Sequence, residues 1–148
     1  MFKILIVEDN NSLRAVMTEV LQQHGCAVQA VADAESLCES VAVSLFDMAL
    51  LDLNLPGENG LSLSKRLRQI FPRLGIIMVT ARTQVSDKVC GYESGADIYL
   101  TKPVEVTELI ASVQALGRRL ALQNQFDSAN YLDKSWRLDL LGNFLWNP

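Results

Sequence analysis

The sequence predicts an α/β fold in which helices cover both faces of a parallel β-sheet. Short apolar runs alternate with helix-like segments five times between residues 3 and 120, and this alternation favours a parallel sheet with right-handed crossovers. The runs at 48–51 and 75–79 are apolar throughout, as in strands that are buried on both faces. Most of the runs also lead directly into a polar side chain, and this pattern indicates where a functional site would lie.

Local patterns predict each element in order. Strands are expected at 3–7, 26–31, 48–52, 75–80 and 97–101. The first helix begins with Asn11 or Ser12 as its cap and ends at His24-Gly25, and a second runs from Asp33 to about Val43. Three further helices are expected at 60–70, 87–94 and 106–120. The apolar residues at helical spacing are Leu13, Val16, Met17, Val20 and Leu21, then Leu37, Cys38 and Val41, then Leu63, Leu67 and Ile70, and finally Val106, Leu109, Ile110, Val113, Leu116 and Leu120.

Composition narrows the class of protein. The 148 residues suggest one domain of ordinary size with an appendage, and 49% hydrophobic residues suffice for a core without metal or disulfide. A net charge of −4 argues against nucleic-acid binding by most of the surface. The apolar N-terminal stretch is too short for a signal peptide or a membrane span. The three cysteines lack C-x-x-C spacing, so we expect a cytoplasmic protein with buried thiols and no zinc site.

Five polar residues follow or end the predicted strands: Glu8, Asp9, Asp52, Thr80 and Lys102. Because the carboxyl ends of parallel strands meet at one edge of a sheet, these side chains are expected around one crevice. Three neighbouring carboxylates repel one another unless a cation neutralises them, and oxygen ligands favour Mg²⁺. A carboxylate beside Mg²⁺, an ammonium group and a hydroxyl can form an aspartyl phosphate. The P-loop and dinucleotide fingerprints are both missing from the sequence.

These residues also carry a family resemblance. The matching pieces are Ile-Leu-Ile-Val-Glu8-Asp9, Leu-Leu-Asp52-Leu-Asn-Leu-Pro, Met-Val-Thr80-Ala, Gly95-Ala-Asp-Ile-Tyr99 and Thr-Lys102-Pro103. Together they make residues 1 to about 120 resemble the CheY-like receiver domain of two-component response regulators. The resemblance implies a doubly wound sheet with strand order 2-1-3-4-5.

The resemblance implies a role for each matching position. Asp52 is the expected phosphoacceptor, with Lys102 and Thr80 holding phosphoryl oxygens. Thr80 and Tyr99 are the expected switch pair, and Lys102-Pro103 is expected to be a cis peptide. The expected ligands of Mg²⁺ or Mn²⁺ are Glu8, Asp9, Asp52 and the backbone carbonyl of Asn54.

Partners follow from the same resemblance. The single histidine, His24, is predicted at a helix end away from the crevice, so a sensor histidine kinase is expected to donate the phosphoryl group. Winged-helix regulators of the OmpR/PhoB type pair through their fourth helix, fifth strand and fifth helix. This chain keeps Asp87, Lys88, Asp97 and Glu108 on that face, but it has Ile98 and Ser112 where those proteins usually carry an aspartate and an arginine. We expect a homodimer held more by apolar contact than by ion pairs.

The same observations lead to expected domain boundaries and to three competing functions. The domain boundaries expected are a receiver at 1–121, a linker at 122–135, where residues 123–130 are polar and lack periodicity, and the start of an effector domain at 136–148. The last segment predicts two short strands joined by a turn at Gly142-Asn143. It resembles the opening of a winged-helix domain, so DNA binding is expected only through a missing C-terminal domain. A transcription-regulating switch is therefore favoured, with a stand-alone receiver that binds a partner protein as the alternative. A phosphatase of the Asp-x-Asp type is disfavoured because Asn54 cannot protonate a leaving group, so we expect no conventional enzyme.

Overall fold

A five-stranded parallel sheet organises the chain. The computed structural model describes residues 1–37, 42–132, 136–138 and 144–146. The strands are β1 (Lys3–Val7), β2 (Ala27–Val31), β3 (Met48–Leu51), β4 (Gly75–Thr80) and β5 (Ile98–Thr101). Their order is β2-β1-β3-β4-β5 and every neighbouring pair is parallel. The predicted fold class and strand order are confirmed.

Four α-helices are described: α1 (Asn11–Gln23), α2 (Gly60–Ile70), α3 (Val85–Glu93) and α4 (Val106–Leu132). The last three correspond to the third, fourth and fifth helices predicted from the sequence. The predicted second helix lies partly outside the described residues, as do Cys38 and Val41. Its cap is present, because a carboxylate oxygen of Asp33 accepts a hydrogen bond from the Ser36 amide at 2.9 Å. Residues Val43–Leu45 form a separate 3₁₀ turn.

Several helix details differ from the predictions. Asn10 caps α1, in place of Asn11 or Ser12, because its side-chain oxygen accepts from the Leu13 amide at 2.9 Å. Val16, Ile70 and Val106 are exposed instead of inward-facing. Val16 lies about 100° around the helix from the buried Met17, and the other two are the terminal residues of their helices. The buried residues follow narrower ridges: Met17 and Leu21, Leu63 and Leu67, and Leu109, Val113 and Leu116.

The chain forms two compact units, Met1–Gly117 and Arg118–Pro148. Helix α4 continues to Leu132, so the predicted end of this helix at residue 120 is wrong. The sequence from Arg118 to Leu132 contains neither glycine nor proline, and nothing in it breaks a helix. Further along, β6 (Trp136–Leu138) pairs antiparallel with β7 (Phe144–Trp146), in agreement with the two short strands predicted there. The predicted Gly142-Asn143 turn lies outside the described residues.

The buried core of the unit Met1–Gly117 fixes the positions of the polar residues at the strand ends. The side chains of residues 4–7, 48–51 and 76–79 are buried in the three central strands. Backbone hydrogen bonds continue past the strand ends, from the Asp52 amide to the Val7 carbonyl at 3.3 Å and from the Lys102 amide to the Thr80 carbonyl at 2.8 Å. The residues that follow the strands are thereby held at one edge of the sheet. Within the described residues, no helix combines the length and the apolarity needed to cross a bilayer.

Candidate functional site

The residues predicted to meet at the carboxyl edge of the sheet do meet there. Lys102 Nζ lies 2.8 Å from Asp52 Oδ2, and 3.0 and 3.1 Å from the two carboxylate oxygens of Glu8. Asp52 is 4% exposed and Glu8 is 1% exposed, whereas the Lys102 side chain is 22% exposed. The Lys102 ammonium group therefore bridges two buried carboxylates, while the lysine side chain itself stays partly exposed to solvent.

Asp52 has hydrogen-bond donors on both carboxylate oxygens. The backbone amide of Asn54 donates to Oδ1 at 3.1 Å, while Lys102 occupies Oδ2. The hydroxyl of Thr80, which is fully buried, also interacts with this carboxylate and lowers its pKa. These donors stabilise the charged form of a group that is almost removed from water.

The pKa values of the two buried carboxyl groups, Glu8 and Asp52, shift in opposite directions although both groups bond to Lys102. Burial raises the pKa of Glu8, the Asp52 charge adds to that effect, and the bonds from Lys102 offset it only in part. Burial also raises the pKa of Asp52, but Lys102, the Asn54 amide and the Thr80 hydroxyl outweigh it, so the pKa of Asp52 is lowered overall. The pKa of Lys102 is raised, because its bonds to Asp52 and Glu8 exceed the effect of its own burial. Asp52 is thus an ionised carboxylate beside a charged lysine at neutral pH.

A third carboxylate completes a group suited to a cation. Carboxylate oxygens of Glu8, Asp9 and Asp52 all lie within 4.8 Å of one another, and Asp9 is exposed to solvent. Oxygen donors of this charge and spacing fit a hard cation such as Mg²⁺. Asn54 belongs to the same loop, two residues beyond Asp52. The residues present therefore fit the metal that the sequence predicted.

Tyr99 lies beside this site with its ring directed inward. It is 9% exposed, and its hydroxyl donates to the backbone carbonyl of Arg82 at 2.9 Å. The ring packs against Gly91 of α3. Arg82 is not among the site residues that the sequence predicts. Its place two residues after Thr80, at the same edge of the sheet, was the signal that could have found it.

Two remaining predicted features have clear positions. The peptide bond between Lys102 and Pro103 is cis, the configuration that the resemblance implies. His24 is the residue that ends α1, and its ring nitrogen Nδ1 lies 2.9 Å from the Val20 carbonyl. It is exposed at the opposite end of α1 from Asn10, so it takes no part in the carboxylate site.

Comparison with known proteins identifies the family. The sequence matches the response regulator receiver domain over residues 4–114. The chain belongs to this family. Receiver domains generally bind Mg²⁺, which agrees with the carboxylate group described above.

Relatives of this receiver domain include transcriptional regulatory proteins. The chain is 40% identical over 121 residues to TctD of Salmonella typhimurium, a match that covers 82% of this chain and 54% of that protein. It is 38% identical over 120 residues to DltR of Streptococcus agalactiae, covering 81% and 54%. The solved structure of DrrB, a Thermotoga maritima OmpR/PhoB homologue, aligns with a TM-score of 0.73 at 30% identity, covering 80% of this chain and 54% of that one. The chain thus spans about half the length of these relatives.

Proposed function

We propose that this receiver domain is a phosphorylation switch that accepts a phosphoryl group on Asp52 from a partner histidine kinase. The observation that carries the proposal is the state of Asp52, which is buried, ionised and bonded to Lys102 Nζ at 2.8 Å. A nucleophilic carboxylate needs this combination of charge and access to a cationic partner. In this proposal the domain promotes its own modification and is not a conventional enzyme.

The chemistry uses groups already in place. An oxygen of Asp52 attacks phosphorus, a P–O bond forms, and the bond from phosphorus to the donor nitrogen breaks with its electron pair left on that nitrogen. Lys102 and the Thr80 hydroxyl, which now contact the carboxylate, then donate to phosphoryl oxygens. Mg²⁺, when bound, would supply positive charge that stabilises the transferred phosphoryl group. The groups that would hold it are Glu8, Asp9, Asp52 and the backbone carbonyl of Asn54.

The experiment is intact-protein mass spectrometry after incubation with acetyl phosphate. Wild type should gain one phosphoryl group in Mg²⁺ or Mn²⁺ and none in excess EDTA. Asp52→Asn should remain unmodified. Asp47→Asn is the matched control, because Asp47 precedes β3 as Asp52 follows it, and in the hydrogen bonds described its carboxylate accepts only from the Lys3 amide. Equal modification of wild type and Asp52→Asn would remove Asp52 from this role.

Regulation of transcription is the proposed output. The support is that TctD and DltR are named transcriptional regulatory proteins and that this chain covers 54% of each. We assign residues 1–121 to the receiver, 122–135 to a linker that is helical at least to Leu132, and 136–148 to the start of an effector domain. The antiparallel pair β6–β7 is consistent with the opening strands of a winged-helix domain. DNA binding would then come from the remainder of that domain.

A homodimer through the face made by α3, β5 and α4 is part of the proposal. Val85, Val89 and Tyr92 on α3 and Val106 on α4 are exposed apolar side chains. Asp97, in contrast, accepts bonds within its own chain from Arg68 and the Ile76 amide, both at 2.9 Å. Charged contacts on this face are thus partly used internally, which favours an apolar interface.

Light scattering of the beryllofluoride-treated protein tests this dimer. We expect pairing to persist in high salt, because apolar contacts are not screened. Val89→Ser should weaken pairing, whereas Ile70→Ser, an exposed apolar residue on α2, should not. Dissociation caused by salt alone would contradict an interface of this kind.

A further inference from the structure

Arg14, in the first turn of α1, binds the loop that carries two of the three site carboxylates. Its Nη1 donates to the backbone carbonyl of Glu8 at 2.7 Å, and its Nη2 donates to the side-chain oxygen of Asn11 at 2.6 Å. The side chain is half-buried. Because the guanidinium is a rigid, planar fork, these two bonds also fix its orientation. One side chain therefore spans the loop, from its first residue to the first residue of the helix.

The two acids of this loop are held in different ways. The Glu8 side chain is 1% exposed and accepts from Lys102 and from the Asn10 amide. The Glu8 amide donates to the Val31 carbonyl at 3.1 Å. Asp9, in contrast, is exposed, so packing does not fix its carboxylate. Where that carboxylate lies depends on the direction of the main chain that enters Asp9.

Arg14 acts on the peptide group that sets this direction. The peptide group between Glu8 and Asp9 is planar, so a bond that orients the Glu8 carbonyl also orients the Asp9 amide. Carboxylate oxygens of Asp9, Glu8 and Asp52 lie within 4.8 Å of one another, close enough to share one cation. Metal sites lose affinity when the groups that orient their ligands are removed. The bond from Arg14 is thus suited to keep Asp9 near the other two carboxylates.

The charge of Arg14 has the opposite effect on a metal ion. Both bonds of its guanidinium go to neutral oxygens, one of a backbone carbonyl and one of a side-chain amide, and neither bond neutralises it. A positive charge near the site repels a divalent cation. If Arg14 acted through its charge alone, its removal would strengthen metal binding. If it acts by orienting Asp9, its removal weakens metal binding, so the sign of the change separates the two roles.

We propose that Arg14 is a positioning residue that holds the Glu8–Asp9 peptide so that Asp9 is ready to bind a divalent cation. A ligand that is already in place loses less conformational freedom when the ion binds, and the ion is bound more tightly for that reason. This inference rests on the metal ligands given in the proposed function. It does not depend on the transfer of a phosphoryl group to Asp52.

The test is a titration of the full chain with Mn²⁺, in which electron paramagnetic resonance measures the free ion. Arg14→Ala should raise the dissociation constant about tenfold. Arg118→Ala is the matched control, because it removes one positive charge from an exposed side chain of α4, and it should leave the dissociation constant unchanged. An unchanged or lower dissociation constant in Arg14→Ala would overturn the proposal.

Three further variants check the route. Asp9→Asn should weaken Mn²⁺ binding at least as much as Arg14→Ala, and binding as tight as that of wild type would overturn the proposal. Arg14→Lys can form one bond but lacks the fork, so it should recover part of the affinity. Asn11→Ala should weaken binding less than Arg14→Ala does, and the double variant should match Arg14→Ala, since both changes remove the same link. Fully additive effects of the two changes would count against this link.

Urea unfolding in EDTA separates positioning from general stabilisation. A lower free energy of unfolding in Arg14→Ala, combined with wild-type affinity of the folded protein for Mn²⁺, would show a purely structural role and overturn the proposal. Failure of wild type to bind Mn²⁺ would overturn both the proposed metal ligands and the role of Arg14. Equal binding by wild type and Arg14→Ala would remove Arg14 alone and leave the proposed function in place.

Discussion

Replacing Gly91 by alanine should reveal how closely the Tyr99 ring approaches α3. A methyl group at position 91 would lie 2.9 Å from Tyr99 Cδ2 and 3.0 Å from Cε2, with Met78 Cγ at 3.9 Å. Carbon atoms in favourable contact are about 3.5–4.0 Å apart. The ring must therefore move by roughly half an ångström or more, or leave its position.

Two effects of opposite sign set the magnitude. Alanine in a helix interior is favoured over glycine by about 0.5–1 kcal/mol. Overpacking of a filled core costs about 1–3 kcal/mol. The net expectation is that Gly91→Ala lowers the free energy of unfolding by about 0–2 kcal/mol. With Tyr99→Ala as background, the clash is gone and the same change should raise that free energy by about 0.5–1 kcal/mol.

Urea unfolding followed by circular dichroism measures all four proteins of this double-mutant cycle. The effect of Gly91→Ala on the free energy of unfolding should change sign between the two backgrounds, which corresponds to a coupling energy of about 1–3 kcal/mol. The ¹⁹F signal of fluorinated Tyr99 should also indicate greater exposure in Gly91→Ala. A stabilisation by Gly91→Ala of equal size in both backgrounds would refute the inward placement of the ring.

Three further predictions concern charge. Lys102→Met should destabilise the protein by about 3 kcal/mol at neutral pH in urea unfolding, because two buried carboxylates lose their counter-charge; unchanged stability would contradict the bridge. The pKa of Glu8 is raised above its usual 4.5, so ionised Glu8 lowers stability, and any advantage of Glu8→Gln should shrink as pH falls toward that value. The pKa of Asp52 is lowered below 3.8, so its stabilising effect should persist above pH 3.8 and disappear below it; parallel pH profiles for Glu8→Gln and Asp52→Asn would refute the assignment. Arg68→Lys should cost about 2 kcal/mol without changing phosphorylation, because a lysine cannot replace the guanidinium bonds to the carbonyls of residues 72, 74 and 95.

The fold was predictable because its signals are redundant. Strands that are apolar throughout must be buried on both faces of the sheet. Their alternation with helices restricts the chain to a few possible topologies. The site followed from the fold, since Glu8, Asp52, Thr80 and Lys102 each stand at a strand end. Helix boundaries were harder to predict because each one depends on a single capping hydrogen bond. At α1 the choice among Asn10, Asn11 and Ser12 was decided by the Asn10 side chain reaching the Leu13 amide.

The length of α4 was not predictable from hydrophobic periodicity. Residues beyond Leu120 present no regular apolar stripe, and the pattern favours a loop. Absence of a stripe does not exclude a helix, since only glycine or proline would interrupt it strongly. Periodicity reports which side of a helix is buried, and residues 121–125 are all exposed.

The opposite pKa shifts of Glu8 and Asp52 show what strand-end reasoning cannot supply. The sequence places both carboxyls and Lys102 at one edge of the sheet, so it gives no reason to expect different pKa values for Glu8 and Asp52. The difference comes from neutral donors: Asp52 receives the Asn54 amide and the Thr80 hydroxyl, whereas Glu8 receives the Asn10 amide at 3.2 Å. Because ionisation of a buried carboxyl is decided by how many donors reach it, the nucleophile is distinguished by loop geometry. The loop after β3 therefore lowers the pKa of Asp52 relative to that of Glu8, and the last residue of β4 supplies a hydroxyl that adds to this effect.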